Sequence, residues 1–146
     1  MKIAYKFYPE LVIDESVDLN RIDEADLRYN WFTGDVHFIN DTIELVFDGI
    51  TIYDFIINFR NTLNELKEGD SSEFDFTESD SLVLFKKRGE RIEIFSQLTN
   101  KRIKPSFSAL KTEGKEFIKS FCRDLIHFYP NDDTYRFIKL KFDLEL

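Results

Sequence analysis

Residues 36–66 read VHFINDTIELVFDGITIYDFIINFRNTLNEL, and a change of period inside this stretch decides the fold class. Val36–Ile39 and Thr42–Phe47 have the two-residue period of strands, and Asn40-Asp41 between them accept the positive φ of a tight hairpin. Asp48-Gly49 ends the second strand. Thr51 followed by Asp54 then forms an N-cap pattern close to a capping box, and Ile52, Phe55, Ile56, Phe59, Leu63 and Leu66 fall on one helical stripe. Tyr53 and Ile57 lie off that stripe, either covered by a loop or exposed as a contact patch for a partner. Strands that run directly into an amphipathic helix place the chain in the α+β class.

Upstream, Arg28–Phe32 reads as a further strand with a turn at Thr33-Gly34-Asp35, and Glu10–Leu27 as an acidic connection of low order. Ile3, Tyr5 and Phe7 alternate with polar neighbours in a strand that ends at Pro9. Downstream of Glu68-Gly69-Asp70, strands are expected at Glu73–Phe76, Leu82–Lys86 and Arg91–Leu98, the last two joined by a turn at Arg88-Gly89. Leu82, Leu84, Ile92 and Ile94 are assigned to one face of that hairpin, Phe85 and Phe95 to the other. Ile103–Phe107 fits an edge strand, because Pro105 lacks the amide a central ladder needs. A second helix, about Thr112 to Phe128, aligns Phe117, Ile118, Phe121, Leu125 and Phe128, with Lys115, Lys119 and Arg123 opposite. Ile138, Leu140, Phe142, Leu144 and Leu146 alternate with charged residues and read as a closing strand tied into the sheet. The resulting expectation is a single domain over residues 1–146, a largely antiparallel sheet with two helices packed on one face.

The chain has 146 residues, of which 16 are Phe, so a firm core is available without disulfides. It must be, since Cys122 is the only cysteine. The opening MKIAYKFYPE has no apolar signal core, and no stretch approaches the ~18 apolar residues of a spanning helix. With a lone thiol, these features lead to the expectation of a cytoplasmic protein without a membrane partner. The net charge of −8 argues against nucleic-acid binding, which depends on lysine and arginine displacing counterions. The charge is uneven: residues 1–80 carry 6 Lys+Arg against 19 Asp+Glu, net −13, and residues 81–146 carry 14 against 9, net +5. Either the halves interleave and neutralise each other or an acidic face stands apart.

No phosphate-cradling glycine loop, CxxC pair or HExxH helix is present, so no cofactor, metal or catalytic residue is assigned. His37, between Val36 and Phe38, reads as a surface or boundary residue, and His127 as a solvated helix-end cation. Cys122 reads as a small buried hydrophobe and Trp31 as core, with a base- or sugar-stacking platform as the alternative for Trp31. The densest acidic run, Asp70, Glu73, Asp75, Glu78 and Asp80, lacks the central glycine and terminal spacing of a calcium loop, and fits a solvated face better.

An acidic N-terminal half, a small aromatic α+β fold and the lack of catalytic groups together resemble the immunity proteins that neutralise bacterial toxins. That resemblance implies a non-enzymatic inhibitor whose carboxylate-rich face mimics nucleic acid and plugs the basic cleft of a toxin, with electrostatic steering of capture. Asp70, Glu73, Asp75, Glu78, Asp80, Tyr53 and Ile57 are the candidate partner-binding residues. The net positive second half departs from a uniformly acidic inhibitor. The alternatives are a homo-oligomeric assembly module, for example a homodimer through Tyr53 and Ile57 or an edge strand, and a small-ligand binder or enzyme.

Overall fold

The helix that opens after Thr51 carries aromatic side chains on several sides, and the fold is built around it. The computed structural model of the chain describes residues 1–8, 12–76 and 81–146. The architecture is α+β, with two antiparallel sheets rather than one. Lys2–Phe7 (β1), Thr33–Asn40 (β2) and Ile43–Thr51 (β3) form the first in spatial order β1-β2-β3. Ser71–Asp75 (β4), Leu82–Arg88 (β5), Arg91–Ser96 (β6) and Lys101–Ile103 (β7) form the second, again in chain order. Glu24–Tyr29 (α1) precedes β2, Ile52–Glu68 (α2) joins the sheets, and Phe107–Phe128 (α3) and Asp132–Phe142 (α4) complete the chain. The Phe55 ring of α2 lies 5.7 and 5.4 Å from Phe38 and Phe47 of the first sheet, 5.4 Å from Phe74 of the second, and 6.2 Å from Phe117 of α3. One hydrophobic core therefore serves both sheets, each buried Phe contributing roughly 1.5–3 kcal/mol. No helix among the described residues is long and apolar enough to cross a membrane.

Several local expectations change. Within residues 12–32, before β2, a 3-10 turn at Leu19–Arg21 and α1 bury Leu19 and Leu27, because two inward leucines suffice to anchor elements too short to show a period. Arg28 and Tyr29 thus belong to α1, not to a strand. Thr33-Gly34-Asp35 is the start of β2 and not a turn. Gly34 faces Phe7, and a Cβ there would sit 2.0 Å from the Lys6 carbonyl oxygen, so glycine is required by close backbone approach. β3 likewise does not stop at Asp48-Gly49. Val36 pairs with Phe47 and Gly34 with Ile50, leaving Asp48 and Gly49 opposite Asp35 as a bulge, with Gly49 at φ +62° and its N–H donating to Asp35 Oδ1 at 3.1 Å.

In the second sheet, Arg88 pairs with Arg91 around a two-residue turn with Gly89 at φ +64°, which sets Phe85 opposite Ile94. Val83, Phe85, Ile92 and Ile94 therefore face inward, and Leu82 and Leu84 share the outer face with Phe95. Lys101–Ile103 replaces the edge strand expected over Ile103–Phe107, and α3 begins five residues earlier than Thr112, capped by the Ser106 hydroxyl accepting from Ala109 N at 3.1 Å. The largest correction is at the C-terminus, where Ile138–Phe142 is helical. The Asn131 side chain accepts from Thr134 N at 3.1 Å, Asp132 and Asp133 occupy the first turn, and Thr134, Phe137, Ile138 and Phe142 are buried while Leu140 is 75% exposed. The helical face outweighs an alternation that no neighbouring strand was there to use.

Candidate functional site

The acidic run enters the structure through β4. Gly69 terminates α2, its N–H donating to Glu65 O at 2.9 Å, and the chain turns back along β5. Phe74 points into the core while Asp70, Glu73 and Asp75 are exposed. Phe76 N donates to Ser81 O and Lys87 N to Asp70 O, so the antiparallel alternation turns the main-chain groups of Ser71, Glu73 and Asp75 away from β5, toward the free edge of the sheet. Beside that edge lies a cleft of about 370 Å³ lined by Arg28, Asp54, Asn58, Glu73, Phe74 and Asp75.

The inner wall of the cleft is a buried ion pair. Asp54 is 3% exposed, and both Nε and Nη2 of Arg28 lie 2.6 Å from its Oδ1. Asn58 Nδ2 donates to Asp54 Oδ2 at 3.4 Å, and Arg28 Nη2 donates to Asn58 Oδ1 at 3.5 Å. Partial burial pulls the Arg28 guanidinium down, but the hydrogen bond and charge of Asp54 outweigh it and hold it above its ordinary value. Three carboxylates against one guanidinium leave the cleft anionic. Sequence reasoning missed Arg28, Asp54 and Asn58. The available signal was Asp54 itself, set between Tyr53 and Phe55: a carboxylate carried inward by apolar neighbours needs a cation.

The structure brings together Glu73 and Asp75 on the cleft, with Asp70 exposed just before β4 and its carbonyl accepting from Lys87 N; Glu78 and Asp80 lie outside the described residues. Tyr53 does not join them. It is fully buried beneath α4, 6.2 Å from the rings of both Phe137 and Phe142, with its hydroxyl donating to Glu24 Oε1 at 3.1 Å, so the exposed Tyr53–Ile57 patch does not exist. Ile57 is half-buried against the core. His37 is half-buried with Nδ1 2.5 Å from Glu44 Oε1, and His127 is exposed beside Phe128. Cys122 is buried, and burial pushes its thiol up to about 12. Trp31 packs on Phe32 and Tyr129 with its Nε1–H donating to Asp26 Oδ2 at 3.0 Å, which leaves it core and not a stacking platform. Among the described residues no group of three or more His, Cys, Asp or Glu side chains is placed to hold a metal ion.

The two charged halves meet through the β4–β5 pairing, but few ion pairs cross between them. Among the described residues only Glu24–Lys141, at 3.0 Å, joins the acidic stretch to the basic one, and Asp70, Glu73 and Asp75 take part in no ion pair. A wider concavity of about 580 Å³, between the β2–β3 turn and β7, is lined by Arg91, Arg102 and Lys104 with Asn40, Asp41 and Ile43. Its arginines are engaged locally, Arg91 with Lys104 O at 3.3 Å and Arg102 with Glu93 at 3.0 Å. No family model, no curated protein and no solved structure matches the chain.

Proposed function

We propose that the protein is a non-enzymatic interaction protein of the immunity type, binding a basic protein partner through the acidic edge of β4. The observation that carries this reading is that Asp70, Glu73 and Asp75 are exposed and free of ion pairs among the described residues, with Glu73 and Asp75 set on a strand whose outer main-chain groups pair with no other strand among the described residues. An extended basic segment pairing along Ser71, Glu73 and Asp75 would gain main-chain hydrogen bonds from the edge and charge complementarity from the carboxylates. The Arg28–Asp54–Asn58 wall backs the cleft with a fixed polar surface.

The test is a titration of the full chain with an oligolysine peptide of about ten residues, followed by amide chemical shifts at about 50 and about 300 mM salt. Shifts should gather on Ser71–Asp75, Arg28 and Asn58 and shrink with salt, and the combined Asp70→Asn, Glu73→Gln, Asp75→Asn variant should lose them. Shifts spread evenly over all carboxylate-bearing surfaces would sink the reading. The same free edge would pair two copies of the chain, so sedimentation of the protein alone separates partner binding from self-association.

A further inference from the structure

On the side of α2 away from this cleft, the helix meets α3 at Gly114. A Cβ at that position would lie 2.9 Å from Phe59 Cε1 and 3.3 Å from Leu63 Cδ1, so the α2 side chains pack directly on the α3 backbone there. Above the contact opens a groove of about 330 Å³ floored by Leu63, Gly114 and Ile118. Arg60 and Lys67 of α2 stand on one wall, Lys111 and Lys115 of α3 on the other, and no carboxylate lines it. Neighbouring acids are turned elsewhere: Glu65 accepts from the Ser72 hydroxyl, Glu113 from Ile3 N, and Glu116 pairs with Lys119. Among the described residues none of the four cations is ion-paired. Three have neutral partners, Lys67 donating to Asn64 Oδ1 at 3.5 Å. Arg60 donates to Lys141 O at 2.9 Å and lies over the Phe142 ring, while Lys111 lies 4.7 Å from the centre of the Phe107 ring, which Lys87 approaches from β5 at 5.1 Å.

We propose that this groove docks a short acidic amphipathic helix of a protein partner. The lining positions run from residue 60 to 67 on α2 and from 111 to 118 on α3, so the groove is about 10 Å long, two turns of an occupying helix. Apolar side chains one turn apart on the occupant would meet Leu63 and Ile118, and flanking carboxylates would meet cations on both walls. An apolar floor bounded by cations suits such a helix better than a nucleic-acid strand, whose backbone is charged along its whole length. The proposal is independent of the acidic-edge reading, because it concerns a surface of opposite charge formed by other residues.

The probe is a labelled peptide of about twelve residues with Leu at helical i, i+4 spacing and Glu at the flanking positions, titrated into the full chain by fluorescence anisotropy and amide chemical shifts. Saturable binding is expected, with shifts on Leu63, Lys67, Lys111, Gly114 and Ile118. The combined Lys67→Gln, Lys111→Gln, Lys115→Gln variant, whose altered side chains are all on the protein surface, should weaken it at least about tenfold with an unchanged melt. The Asp70→Asn, Glu73→Gln, Asp75→Asn variant should bind the peptide as wild type does, so this proposal and the acidic-edge reading fail separately. Absence of saturation, equal binding of a scrambled peptide of the same composition, shifts outside the groove, or tighter binding of an oligothymidine of similar length would each overturn the proposal.

Discussion

Among the described residues Asp54 is the one acidic side chain that the core takes in, and Arg28 is what makes this tolerable. Removing the guanidinium takes away the cation that faces a buried carboxylate, and because Arg28 is partly solvated the expected loss is about 2 kcal/mol, below the range for a fully buried pair. Arg28→Met should therefore lower the denaturant midpoint with little change in slope, and adding Asp54→Leu should recover part of the loss by removing the stranded charge. A second residue-scale outcome concerns pH. Burial lifts the Cys122 thiol from its ordinary 9.0 to about 12, with Arg60 and Arg123 opposing the shift. The folded chain thus keeps a proton that the unfolded chain sheds first. Its stabilising contribution is complete below pH 9, shrinks as pH rises, and is gone above about 12. Tyr5 and Tyr53, both raised chiefly by burial and further by Asp124 and Glu24 respectively, act in the same direction above pH 10. Melting temperatures should fall steadily from pH 8 to pH 11, and Cys122→Ala should flatten the part of that fall just above pH 9. A thiol reagent at pH 8 should label Cys122 only after denaturation.

At the scale of elements, two glycines mark close approaches, Gly34 to the backbone of the neighbouring strand and Gly114 to side chains of the neighbouring helix. Gly34→Ala would drive a methyl into the Lys6 carbonyl, backbone against backbone, and should cost more than about 3 kcal/mol by separating β1 from β2. Gly114→Ala meets the buried Phe59 ring instead. The gain in helix propensity, about 1 kcal/mol, offsets part of the overpacking, leaving a net loss near 1 kcal/mol in equilibrium unfolding. The same contacts explain what could be read in advance. Residues 36–47 and 52–68 were legible because strand period, turn residues and helical stripe agree there, while Asp48-Gly49 was read as a strand end and is a bulge; of the acidic run, Glu73 and Asp75 lie exposed on β4. Gly34 was misread as a turn because glycine marks both turns and close approaches, and only the partner strand distinguishes them. Ile138–Phe142 was misread because its alternation outweighed a cap signal, Asn131-Asp132-Asp133, standing at the start of the same segment. The face of β5 could have been derived from the Arg88-Gly89 turn, since a two-residue loop fixes cross-strand parity. The cleft could not, because Arg28 meets Asp54 only through the packing of α1 on α2.

For the molecule as a whole, the decisive fact is that its charged halves are joined by a single ion pair among the described residues, Glu24–Lys141. Exposed carboxylates without an ion pair among the described residues contribute little to folding, so the Asp70→Asn, Glu73→Gln, Asp75→Asn variant should melt within about 2 °C of wild type or slightly above it. A clear fall in its melting temperature would mean that these acids hold the fold and do not face a partner. α2 lies between the two polarities. At about 100° per residue, Asp54 and Asn58 point to the acidic cleft while Arg60, Leu63, Asn64 and Lys67 point roughly the opposite way, toward the basic groove. Opposite charges on the two sides of α2 contribute an electric dipole across it whatever the net charge. The molecule would orient on charged chromatographic supports, landing on an anion exchanger by one side, and a cation exchanger would retain it weakly at a pH above its isoelectric point of about 4.8.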